Sequence, residues 1–226
     1  MQALRGHWQL IALVSLVFVL WPTPVIIPLK ILIVFLHELS HAGMTVLTGG
    51  DVISLTVSAD QGGAVFSRGG SRFLILSAGY LGSLLLGVIL LISAIRTNAD
   101  RAVMGLFGAL MLIVTALYVR EGFAVLFCVG AGILMLVTAR FLPHDVNDLA
   151  LRVIGLTSMI YVPLDIFSDT IARSNLRSDA RMLADEFGGA TVLWGGIWLL
   201  ISLAVILFSL WRGLGTSSNL SFKKQA

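Results

Sequence analysis

Long apolar runs separated by short polar breaks dominate the chain. The first extends from Trp8 to Trp21 and closes on Pro22 and Pro24; the second covers about Val25 to Leu47. Further runs cover Phe73 to Ile95, Ala102 to Val119, Phe123 to Ala139, about Leu149 to Phe167, and Val192 to Trp211. Crossing ~30 Å of hydrocarbon takes about 20 helical residues, so the pattern predicts six or seven transmembrane helices. The fourth and fifth runs are parted only by Arg120, Glu121 and Gly122, a connector that fits a helical hairpin or a re-entrant pair.

Two stretches break this pattern. Between Gly49 and Gly70, Val52, Ser54, Thr56 and Ser58 alternate with Ile53, Leu55 and Val57, followed by Gly62 and Gly63. Alternation with glycine breaks predicts a small β-hairpin or extended loop at the membrane surface. The segment from Ser168 to Gly189 carries Asp169, Arg173, Arg177, Asp179, Arg181, Asp185 and Glu186, and predicts a short amphipathic helix or loop. No long linker, low-complexity tract or internal repeat divides the chain. The expected fold is one all-α integral membrane domain over 1–226, with a core at about 25–170. An amphipathic segment and last span cover 168–212, and a polar tail covers 213–226.

Composition strengthens the membrane reading. The chain is 58% hydrophobic and 12% charged, with a mean hydropathy of +0.98, whereas soluble domains carry about 25% charged residues. A net charge of +3 comes from residues flanking apolar spans, where they meet headgroups rather than nucleic acid. Arg and Lys are spread almost evenly between alternate loops, so the positive-inside rule assigns no orientation. The single Cys128 excludes an internal disulfide and a cysteine-based zinc site. No small-residue cleavage site follows Trp21, so the first run reads as a retained span rather than a signal peptide.

Candidate chemistry sits in the second run, in the sequence His37-Glu38-Leu39-Ser40-His41. Residues four apart share one helical face, so His37 and His41 can reach one metal while Glu38 stands beside it as a general base. Three ionisable groups in an apolar span each cost about 2.5–3.5 kcal/mol on insertion scales, a load that calls for compensation. A catalytic zinc takes three protein ligands, and no further His or Glu follows at useful spacing on this helix. His7 and His144 stand near span ends and read as headgroup-facing. Asp165, at the end of the sixth run, is the favoured third ligand, and Asp169, one turn on, is the alternative or a partner to a ligating histidine.

With these residues in place, the sequence resembles the site-2 protease family of intramembrane zinc metallopeptidases, in its small bacterial and plant protease-like branch. The resemblance covers about 25–170. It is carried by Phe35 to Ala42, by Ser77-Ala78-Gly79-Tyr80-Leu81-Gly82-Ser83-Leu84, and by Pro163-Leu164-Asp165, which is similar to the family's third-ligand motif. The chain departs from the family pattern where Tyr80 and Ser83 replace a proline and an asparagine, and where Ile166 follows Asp165. The resemblance implies a Zn2+-dependent metalloendopeptidase acting on a membrane-embedded protein or peptide, with Ser83 in the weaker role of contacting substrate or oxyanion. A multi-pass location in the plasma membrane is expected. Two rival readings are a non-proteolytic member that keeps the metal as a binding or chaperone module, and a transporter using the buried His and Glu as a proton path.

Overall fold

The computed structural model describes residues 6–174, 177–213 and 217–219; most of the polar tail lies outside them. In chain order the elements are α1 (Trp8–Leu20), a 3-10 turn (Pro24–Ile26), α2 (Ile27–Leu47), β1 (Asp51–Val57) and β2 (Gly63–Arg68). Then follow α3 (Arg72–Arg96), α4 (Asp100–Tyr118), α5 (Gly122–Phe141), α6 (His144–Phe167), a π-helical turn (Ser168–Ala172), α7 (Asp179–Phe187) and α8 (Thr191–Gly213). Six of the described helices are long and apolar enough to cross a membrane. The 13 residues of α1 fall short of a full crossing, because the Pro22 and Pro24 breaks stop the helix early. The protein is a multi-pass, all-α membrane protein with one small two-stranded sheet.

Three helices form the centre. The most apolar windows of α2, α3 and α6 are 56% buried within the protein, against 22% for α5 and α8. A helix apolar on every side needs protein or lipid around it; α2 takes protein, and Ile31 to Leu36 are all buried. Small residues let α3 and α6 approach closely. A Cβ on Gly155 would stand 2.6 Å from the Gly87 carbonyl oxygen, and the Ser158 hydroxyl donates to the Ser83 carbonyl at 2.8 Å. α4 and α5 form a helical hairpin through the short 119–121 connector, with Gly108 and Gly132 at their contact. Trp198 fills core at 3% exposure, while Trp211 is open to the surroundings.

The extended segment after α2 is a true hairpin. β1 and β2 pair antiparallel, with Val57 opposite Gly63 and Asp51 opposite Arg68, and a register shift between Val52 and Ser54. That bulge interrupts the alternation. Ile53 is left 59% exposed while Leu55 and Val57 are 1% exposed and join the core. Thr56 donates to Glu121 at 2.8 Å, which pins the sheet to the tip of the α4–α5 hairpin. At the opposite end of the bundle, buried Asp148 and Arg152 form an ion pair within α6, and His144 contacts the fully buried Asp100.

Candidate metal centre

His37 and His41 lie one turn apart on α2, on the face toward α3. His41 Nδ1 stands 2.7 Å from the Ile75 carbonyl oxygen. A carbonyl only accepts, so Nδ1 carries the proton there, and the other nitrogen is turned inward. His41 Nε2 meets His37 Nε2 at 3.0 Å. A carboxylate oxygen closes the triangle: Asp179 Oδ2 is 3.0 Å from His37 Nε2 and 3.1 Å from His41 Nε2.

Asp179 is the first residue of α7, a helix outside the spans. Ser178 caps that helix by accepting from the Arg181 N–H, and Ala180 and Leu183 are fully buried beneath it. Glu186 pairs with Arg72 at 3.0 Å, and Phe187 packs edge-to-face on Phe73, so α7 lies against the start of α3. Burial alone would push the Asp179 carboxyl up. The His41 and His37 rings outweigh it and hold the group well below the usual carboxylate range.

The donor set fits zinc. Two imidazole nitrogens and one carboxylate oxygen match the three-ligand catalytic pattern, and tetrahedral zinc with bonds near 2.0–2.1 Å sets its ligand atoms about 3.3 Å apart, a few tenths wider than found here. The ligand atoms of His37, His41 and Asp179 converge as a group able to hold a metal ion. The floor of the cradle is bare backbone: a Cβ on Gly79 would lie 2.4 Å from His37 Nε2 and 2.5 Å from His41 Nε2. Ile75 supplies the hydrogen bond that orients the His41 ring, the kind of outer contact that holds a histidine able to bind a metal.

Glu38, 5% exposed, sits beside the triangle under the hairpin. A Cβ on Gly63 would stand 2.5 Å from Glu38 Oε1 and 2.8 Å from Val34 Cγ1, so only glycine lets β2 press onto the carboxylate. A cavity of about 600 Å³ opens over these groups, lined on one side by Gly62 to Ser67 and on the other by Tyr80, Tyr161, Asp165 and Asp169. That volume falls in the range of ligand pockets.

The structure brings His37, Glu38 and His41 together as the motif implied, but the carboxylate reaching the rings is Asp179 rather than Asp165 or Asp169. α7 folds over the triangle and takes its third corner. Asp165 lines the cavity wall. Asp169 is engaged elsewhere: it accepts from the Tyr80 hydroxyl at 2.6 Å and pairs with Arg173 at 2.7 Å. Ser83 is fully buried and absent from the cavity lining, because its hydroxyl donates back to the Gly79 and Tyr80 carbonyls. His7 and His144 lie outside the cavity, His7 with Ser218 and His144 with Asp100.

The family model of peptidase M50B-like proteins matches residues 10–209. The chain belongs to this family. M50B-like proteins are zinc metallopeptidases of the site-2 protease type, and the match takes in α7 with Asp179 as well as the His-Glu motif. No curated protein and no solved structure matches the chain.

Proposed function

We propose that this M50B-like chain is an intramembrane zinc metalloprotease that hydrolyses a peptide bond of a membrane-embedded substrate. His37, His41 and Asp179 are its metal ligands and Glu38 its general base. The observation that carries the reading is the convergence of three donor atoms, 3.0–3.1 Å apart, next to a buried glutamate and beneath a cavity of about 600 Å³. When bound, zinc supplies Lewis acidity, which polarises a carbonyl and acidifies a water.

The chain's own residues supply the rest. Glu38 takes the proton of the attacking water and delivers it to the leaving amine. The Ile75 carbonyl keeps the His41 proton on Nδ1. Gly63 holds the Glu38 carboxylate from above. A helical substrate hides its carbonyls in hydrogen bonds and must unwind locally before attack. The cavity-facing edge of β2 offers unpaired backbone groups to such an extended segment.

A Glu38→Gln chain tests this reading. It keeps stoichiometric zinc while processing of a membrane protein that depends on the wild-type chain stops. Continued processing by Glu38→Gln refutes the catalytic role. One observation favours a second reading, a metal-binding member without proteolysis: Ser83, at the family's asparagine position, gives its hydroxyl to its own helix and offers the cavity no donor. In that case the cellular phenotype survives Glu38→Gln and fails in a His37→Ala chain that has lost its metal.

A further inference from the structure

The two histidines of the triangle are held in different ways. His41 is fixed by its Nδ1–H bond to the Ile75 carbonyl. Among the described residues His37 has no such acceptor at Nδ1. What stands against its ring is Tyr80, edge-to-face, with centroids 4.7 Å apart and planes at 81°.

Tyr80 is itself clamped. It is 2% exposed, with Trp198 against it at 5.3 Å between centroids. Its hydroxyl donates to Asp169 Oδ2 at 2.6 Å, and Arg173 holds the other oxygen of that carboxylate at 2.7 Å. Asp169 lies in the π-helical turn that follows α6, a local widening that recurs at functional sites. A ring pinned at its hydroxyl and packed along its side cannot swing away from His37.

We propose that Tyr80 is a positioning residue of the metal centre. Its ring keeps His37 Nε2 at the corner of the triangle and does for His37 what the Ile75 carbonyl does for His41. The proposal rests on His37, His41 and Asp179 being metal ligands. Outer partners of ligating histidines set metal affinity by about 10–100-fold, and the aromatic contact takes that role where no hydrogen bond is available.

The test measures zinc affinity of the purified full chain by competition with a chromogenic chelator, and the visible spectrum of the cobalt-loaded protein. Tyr80→Leu removes the ring and is expected to weaken zinc binding by about 10–100-fold and to change the cobalt bands, which report ligand geometry rather than overall folding. Tyr80→Met does the same with a more adaptable side chain should the leucine variant not fold. Tyr80→Phe keeps the ring against His37 and Trp198 and loses only the Asp169 link, so its affinity loss is expected to be smaller than that of Tyr80→Leu; a loss as large as that of Tyr80→Leu would overturn the role given to the ring. Wild-type affinity and an unchanged cobalt spectrum in Tyr80→Leu overturn the proposal while leaving the metal reading intact. A wild-type chain that binds no zinc sinks both.

Discussion

Gly79→Ala changes neither a ligand nor a charge, and it tests the metal centre directly. The added Cβ would stand 2.4 Å from His37 Nε2 and 2.5 Å from His41 Nε2, whereas ordinary contact begins at 3.4 Å. Both rings must therefore retreat by about 1 Å, or α3 must move away by as much. The rings have little room: His41 is tied to Ile75 on α3 itself, and Tyr80 closes on His37. Metal sites tolerate ligand displacements of about 0.2 Å, so zinc affinity is expected to fall by about 100-fold or more. Overpacking of this kind costs about 1–3 kcal/mol of fold stability, which leaves a folded protein to measure. Metal content by mass spectrometry and chelator competition reads the loss, with a thermal melt of the metal-free protein as the folding control. Gly43→Ala on α2, where a Cβ meets nothing within 4 Å, keeps wild-type zinc. A Gly79→Ala chain that holds one zinc at wild-type affinity would falsify the placement of the site.

Three further outcomes follow from the same geometry. Asp179→Ala loses zinc while Asp165→Asn keeps it, read by metal content; the reverse pattern would return the third ligand to α6. Gly63→Ala forces Glu38 aside without touching the ligands, so zinc content holds while turnover drops about 100-fold; equal turnover would show that β2 does not position the base. Gly155→Leu drives a side chain into the α3 backbone near Gly87 and Leu91 and destabilises the bundle by about 1–3 kcal/mol, measured by denaturant unfolding in micelles. An unchanged midpoint would contradict the close approach of α3 and α6.

The spans, the hairpin and the two-histidine motif were legible because each is a local pattern: apolar length, alternation, and a four-residue repeat on one helical face. Register within β1 was not, since the bulge after Val52 depends on which side chains the core accepts. The third carboxylate was hidden for a different reason. The segment from Ser168 to Gly189 holds several acidic residues, and contact with His41 comes from 138 residues away, a separation that no local periodicity encodes. One signal was present. Asp179 lies one turn before Leu183, so it shares the apolar face of α7, where a carboxylate is out of place unless something receives it. Asp165 drew attention through its place at the end of the sixth apolar run and then through its likeness to a family motif, whereas the structure puts it on the cavity wall rather than at the rings.

The position of Asp179 also has a bearing on how the chain is made. The two histidines emerge early in synthesis, within α2, and five of the six spans are complete before Ser178 is reached. With Asp179 as the third ligand, a nascent chain has the helical shell of the protein but only two of its three metal donors. On that reading the centre is completed only after five spans have been made, when the short helix α7 folds back over His37 and His41. A chain ending at Ser174 is expected to reach the membrane yet hold no zinc, because it carries His37 and His41 without the carboxylate of Asp179.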